Sequence, residues 1–187
     1  MGNETIKPNN RKSVRLSEYN YSENGAYFIT ICTQNKKSIF GCVKDGAMEY
    51  SEYGCIALNE IAETNNKRKD KGIQITKYVV MPNHVHLLLE IVGTRRAVSG
   101  TNFNVFSKTI PNSVSEIVGA YKSAVTKQIR RLQGGHGTPC PYEIDNTGKV
   151  WQSRFYDRII RNEFEYQNVW NYIDTNPLKW ELDKYYI

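Results

Sequence analysis

Apolar residues along this chain recur at every second position in some stretches and at every third and fourth in others. That change of period lays out the elements. Residues 27–33, Tyr-Phe-Ile-Thr-Ile-Cys-Thr, are β-branched and aromatic, as a buried strand requires. A second short strand is expected over residues 39–43, with a Lys44-Asp45-Gly46 turn leading into Met48-Glu49-Tyr50. From Ser51 the period becomes helical, with Cys55, Leu58, Ile61 and Ala62 as the inward stripe, and the helix is expected to dissolve over residues 65–70. Residues 73–81 are the next strand, and after a Pro82-Asn83 turn residues 84–92 return as its hairpin partner.

Residues 93–111 lack periodicity and read as a loop. Residues 113–132 form the longest helix candidate, with Ile117, Ala120, Tyr121, Ala124 and Ile129 inward and Lys122, Lys127, Arg130 and Arg131 outward. Residues 133–148 are rich in Gly and Pro, and residues 150–160 are expected to include a strand. Residues 162–175 form a last helix, ended where Pro177 pushes Asn176 from helical geometry. The order strand, strand, helix, strand, strand, helix, strand, helix predicts an α+β sandwich, a largely antiparallel sheet with helices mainly on one face. Residues 1–24 are a polar, basic arm and residues 25–187 a single domain.

Charge narrows the partner. The net charge is +6, and the basic residues cluster at Arg11-Lys12 with Arg15, Lys36-Lys37, Lys67-Arg68-Lys69, Arg95-Arg96 and Arg130-Arg131. Such clusters favour a polyanion, most simply nucleic acid, because phosphate contacts release condensed counterions. No apolar run is long enough to span a membrane, and the N-terminus has no signal-peptide core. Cys32, Cys42, Cys55 and Cys140 form no C-x-x-C pair and read as reduced thiols of an intracellular protein.

The chemistry concentrates in Met81-Pro82-Asn83-His84-Val85-His86-Leu87, which holds two of the three histidines of the chain. On a strand His84 and His86 share one face while Val85, Leu87 and Leu89 line the other. Adjacent imidazoles on a rigid strand either grip one divalent ion or are satisfied by ordinary hydrogen bonds. On the last helix Tyr166, Val169 and Ile173 form the core stripe, and Tyr172 lies off it on the side of Glu165, Asn168 and Asn176. Asn176, four residues after Tyr172, either adds an amide oxygen to the metal set or simply punctuates the helix end. Trp151, Phe155 and Trp170 are core candidates with stacking on unpaired bases as the alternative, and His136 reads as an exposed loop residue. A histidine-triad hydrolase is excluded because Leu88 stands where a third histidine is needed.

The stretch Val80-Met81-Pro82-Asn83-His84-Val85-His86-Leu87 resembles the His-hydrophobic-His signature of HUH endonucleases, and in particular the REP-associated tyrosine transposases among the single-tyrosine transposases. The likeness extends to Arg11-Lys12-Ser13-Val14-Arg15-Leu16, to Gly25–Cys32, to Gly119-Ala120-Tyr121-Lys122-Ser123, and to Trp151-Gln152 through Tyr172-Ile173 and Asn176-Pro177. It implies a ferredoxin-like or RRM-like fold, His84 and His86 as metal ligands, and Tyr172 as nucleophile. Asn176 is implied less directly as a third ligand, since related transposases often carry Gln there. The implied activity is cleavage and rejoining of single-stranded DNA near hairpins through a 5′-phosphotyrosine, with Mg or Mn as cofactor. Arg11, Lys12, Arg15, Lys122, Lys127, Arg130 and Arg131 are the expected DNA contacts, and Tyr156 and Tyr166 are expected to be structural. The expected partner is single-stranded or hairpin DNA, in the cytoplasm at the nucleoid, with no membrane. Monomer and homodimer both stay open, and the alternative reading is a silent, domesticated hairpin-binding or regulatory protein.

Overall fold

The structure is a computed structural model that describes residues 24–92, 111–134 and 148–186. Arg11, Lys12, Arg15 and His136 lie outside the described residues. The strands are β1 (Gly25–Cys32), β2 (Gly41–Lys44), β3 (Ala47–Tyr50), β4 (Ile73–Met81), β5 (His84–Ile91) and β6 (Tyr156–Ile160). The helices are α1 (Glu52–Arg68), α2 (Val114–Gly134) and α3 (Glu163–Thr175), followed by a 3-10 segment, Pro177–Leu182. The main sheet has the order β4-β5-β1-β6, and β2 with β3 forms a separate hairpin. All pairings in the main sheet are antiparallel. Setting the small hairpin aside, the order β-α-β-β-α-β is the ferredoxin-like arrangement expected from the sequence.

Helices α1 and α2 cover one face of the sheet, over Tyr27, Ile29, Ile31, Val85, Leu87 and Leu89. Helix α3 covers the other, over Met81, Leu88 and Ile160 through its Val169 and Ile173. Strand β5 is therefore central and buried on both faces, which is why its apolar run is nearly continuous rather than alternating. A bulge between Ile75 and Lys77 reverses the parity of β4. Ile73 and Ile75 face the α1–α2 layer before it and Val80 after it, so Val79 and Met81 turn toward α3. That switch fills the floor of the α3 side at the end of the sheet where His84 begins.

The expected inward stripes of the two long helices are corrected. Helix α1 ends at Arg68, within the expected 65–70, but its buried stripe is Tyr53, Ala57, Glu60, Ile61, Thr64 and Arg68; of the expected stripe Ile61 is buried and Leu58 packs partly against the core, while Cys55 and Ala62 are exposed. The reason is that its inward polar groups have partners on neighbouring elements. Glu60 accepts from Gln128 of α2, Arg68 forms a two-pronged pair with Glu116, and Asn65 brackets the backbone of Ile75 from both sides. Each interaction removes the penalty of burying an unpaired polar group, about 1–3 kcal/mol. On α2 the inward stripe is Val114, Ile117, Val118, Tyr121, Val125 and Ile129, while Ala120 is exposed. The strand expected within residues 150–160 forms as β6 over 156–160, and Trp151 bridges to Thr33.

Candidate metal and tyrosine site

His84 and His86 project from β5 onto the α3 face, as the strand alternation requires, and both are 0% exposed. Their Nε2 atoms converge at 3.0 Å. Each ring is held from behind: His84 Nδ1 lies 2.9 Å from Asn83 Oδ1, and His86 Nδ1 lies 2.9 Å from Thr30 Oγ1. Placing the ring protons on Nδ1, against those two oxygens, leaves both Nε2 lone pairs aimed at one point. Burial pushes the His84 pKa down to about 3, against the opposing charge of Asp183. Burial also lowers that of His86 well below its ordinary value, with His84 adding to the effect. Both rings are thus neutral at physiological pH, the form that ligates a metal.

Tyr172 is 37% exposed, with its ring edge-on to Phe28 at 5.8 Å and against His86 at 5.2 Å. Its hydroxyl donates to Asp183 Oδ2 at 2.8 Å and lies 3.3 Å from His86 Nε2. Burial raises its pKa above the ordinary tyrosine value, and the hydrogen bond and charge of Asp183 raise it further. Asp183 is reached because α3 ends at Asn176 and Pro177–Leu182 folds back over the site. Burial alone would raise the Asp183 pKa, but donation from Tyr185 N, Asn176 Nδ2 and the Tyr172 hydroxyl holds it below the usual carboxylate range. Asn176 is buried, which a helix-end marker in solvent would not be, and its Oδ1 has no hydrogen-bond partner among the described residues.

The donor set fits a divalent cation. Ligand atoms of His84, His86 and Asp183 all lie within 4.8 Å of one another, and two neutral imidazoles with a carboxylate suit such an ion. The unpaired Asn176 Oδ1 beside Asp183 is a further oxygen donor lacking a partner, as a ligand position would be. Tyr185 closes the site, its ring 4.5 Å from that of His84 and its carbonyl accepting from Asn83 Nδ2.

The structure brings together four of the residues singled out in the sequence: His84, His86, Tyr172 and Asn176. Asp183 and Tyr185 escaped that reading because they follow a proline-initiated turn, where no periodicity fixes which way a side chain points. Of the expected DNA contacts, Lys122 Nζ donates to the carbonyls of Gln152 and Ser153. Lys127, Arg130 and Arg131 line an open groove of about 690 Å³ with Lys149 and Trp151. Trp151 is core, packed on Phe40 and Tyr121, and Trp170 lies partly buried beneath Lys77. Tyr166 is structural, donating to Glu90 at 2.6 Å, but Tyr156 is 55% exposed. No helix among the described residues is long and apolar enough to cross a membrane.

No family model matches the chain. It is 31% identical over 184 residues to an uncharacterized protein of Haemophilus influenzae, covering 95% of this chain and 93% of that protein. It is 22% identical over 166 residues to the REP-associated tyrosine transposase of Escherichia coli K12, covering 88% of this chain and 74% of that one. Among solved structures, a REP-associated tyrosine transposase bound to a REP hairpin aligns over 90% of this chain and 77% of its own, at 20% identity and a TM-score of 0.49. The chain is thus similar in sequence to a REP-associated tyrosine transposase over most of both proteins.

Proposed function

We propose that this protein cleaves and rejoins single-stranded DNA near hairpins, with Tyr172 as the nucleophile. The observation that carries the reading is the position of the Tyr172 hydroxyl, 2.8 Å from Asp183 Oδ2 and 3.3 Å from His86 Nε2. A reactive oxygen, a proton acceptor and an imidazole pair thus meet in one place. The phenol oxygen attacks a backbone phosphorus, the P–O3′ bond breaks, and the 5′-phosphate stays on Tyr172. Rejoining reverses the step with another 3′-hydroxyl, so the covalent link conserves the phosphodiester.

Ionising an ordinary phenol at pH 7 costs about 4 kcal/mol, and the raised pKa of Tyr172 makes the cost larger here. The site must therefore offset that cost as the phenol loses its proton. The proton passes to Asp183 as the O–P bond forms, and Asp183 then holds it for the departing 3′-oxygen. A divalent cation such as Mg or Mn, held by His84 and His86 with an oxygen donor from Asp183 or Asn176, would neutralise charge developing on the phosphate oxygens. Thr30 and Asn83 fix the imidazoles behind that point. Phe28 fixes the tyrosine ring.

A labelled single-strand cleavage assay on hairpin-flanking DNA tests this. Wild-type protein should form a covalent protein–DNA adduct and Tyr172→Phe should form none. An adduct that persists in that variant, on Tyr156 or elsewhere, removes Tyr172 from the role. The burial of both histidines beneath Tyr185 favours one second reading, a hairpin-binding protein that does not cut. Tight hairpin binding by the wild type with no adduct under any divalent cation would select it.

A further inference from the structure

Beside Tyr172 lies a second feature that the proposed chemistry does not use. A groove of about 440 Å³ is lined by Phe28, Arg158, Phe164, Asn168, Val169 and Tyr172, among others. Its α3 wall follows from spacing: Phe164, Asn168 and Tyr172 are four residues apart and fall on one helix face. Its other wall is the edge strand β6. There the register aligns His86 with Thr30 and Thr30 with Tyr156, and in the next row Leu88 with Phe28 and Phe28 with Arg158. Paired residues share a face, so Tyr156 and Arg158 stand on the same side of the sheet as the histidines.

The exposure of these residues calls for an explanation. Phe164 is 75% exposed and Tyr156 is 55% exposed, although both sit on elements with buried positions available. Phe164 is not isolated but continues the groove lining of Phe28, Val169 and Tyr172, and a contiguous apolar patch of that kind marks a binding surface. Arg158 is pinned at the rim by Glu165 at 3.1 Å, whose carboxylate also accepts from the backbone N–H of Arg161. An arginine therefore stands at the rim of aromatic walls formed by Phe28, Phe164 and Tyr172. Stacking rings beside cations is what an unpaired nucleotide selects, because every base has a π-face and every linkage a negative charge.

We infer that this groove holds one unpaired nucleotide of the DNA strand adjoining the phosphate presented to Tyr172, with its base stacked on Phe164. The inference rests on the strand-cleavage reading for its placement but concerns a different set of residues. Tyr172 is the shared wall: its hydroxyl faces the histidines and its ring closes the groove, so a base seated there fixes the adjoining phosphate relative to the attacking oxygen. Asn168, one turn from both rings, is placed to meet a base edge, making the groove a position where one nucleotide is selected rather than merely held.

The test compares wild type, Phe164→Ala and Phe164→Trp for binding of a fluorescently labelled oligothymidylate and of an abasic strand of equal length. Phe164→Ala should weaken oligothymidylate binding about tenfold or more, Phe164→Trp should restore it, and the abasic strand should not distinguish the three. Unfolding temperatures should agree, since the ring is largely in water. Equal oligothymidylate binding by wild type and Phe164→Ala would overturn the assignment even if adduct forms at Tyr172, leaving the cleavage reading intact. Conversely, base-dependent binding through Phe164 with no adduct in the wild type would keep the groove and remove the cleavage reading. A dimer that Phe164→Ala dissociates, with oligothymidylate affinity unmoved, would assign the surface to a second copy and overturn the inference.

Discussion

The Tyr172 hydroxyl donates to Asp183 Oδ2 at 2.8 Å, joining the middle of one face of α3 to a carboxylate eleven residues further along. The contact exists because Pro177 redirects the chain and Asn176, donating to the same oxygen at 2.7 Å, holds the turn in place. Under the proposed chemistry the carboxylate is placed to receive the phenol proton, while burial first and this hydrogen bond second raise the pKa of the resting phenol.

Asp183→Asn separates these two effects. It removes the proton acceptor while keeping the size of the side chain, so adduct formation on single-stranded DNA should slow by about a hundredfold, the low end of general-base contributions. Oligonucleotide affinity should change little. An unchanged single-turnover rate would show that the proton leaves by another route, with His86 Nε2 at 3.3 Å the first alternative.

Cation binding is measurable without any reaction. If His84, His86 and an oxygen from Asp183 or Asn176 form the site, Mn at a hundredfold excess over its dissociation constant should stabilise the fold by about 2.7 kcal/mol. His86→Ala should abolish that thermal shift, beyond its own cost of burying a cavity beside Phe28 and Thr30. The shift should also fade in acid as the imidazoles take up protons, although the lowered His84 pKa places that loss below the range of an ordinary histidine. An equal Mn-induced shift in His86→Ala would place the ion elsewhere.

Much of this site could be read in the sequence because strands enforce alternation. His84 and His86 had to share a face, and the apolar Val85, Leu87 and Leu89 fixed which face was core. The off-stripe Tyr172 followed from helical spacing in the same way. What could not be read depended on contacts between elements. The inward face of α1 carries Glu60, Thr64 and Arg68, so a search for apolar periodicity found only Ile61 among its buried residues. Asp183 lies past a turn whose direction is set by tertiary packing, and Tyr156 is exposed because β6 is an edge strand.

The Arg68–Glu116 pair should show in the pH dependence of stability. The Arg68 hydrogen bonds, and its charge to a lesser degree, hold the Glu116 pKa below the ordinary value, with burial opposing. A depressed folded-state pKa contributes stability above the unfolded carboxylate pKa, about 4.3, and that contribution is lost as pH falls through the folded value. Glu116→Gln should therefore cost about 1–2 kcal/mol at pH 7, part of it from leaving the mostly buried Arg68 short of partners, and the difference from wild type should shrink below about pH 4. Denaturant unfolding at both pH values measures it, and a pH-independent difference would assign the effect to shape rather than charge.

The anchor of the histidine strand can be tested away from the site itself, at Gly54. An added Cβ there would stand 2.1 Å from the carbonyl oxygen of Phe40. That carbonyl accepts from Ser51 N at the start of α1, and Phe40 N in turn donates to Pro82 O in the turn that launches β5. Gly54→Ala therefore cannot be absorbed by a flexible side chain; it must move backbone that α1 and the Pro82-Asn83 turn share. The expected cost is about 1–3 kcal/mol of stability, the usual range for overpacking. Because Asn83 Oδ1 positions His84, Mn affinity should fall with it even in conditions where the variant is fully folded. A variant with lowered stability but an unaltered Mn thermal shift would show that the turn holds its geometry independently of the β2–β3 hairpin.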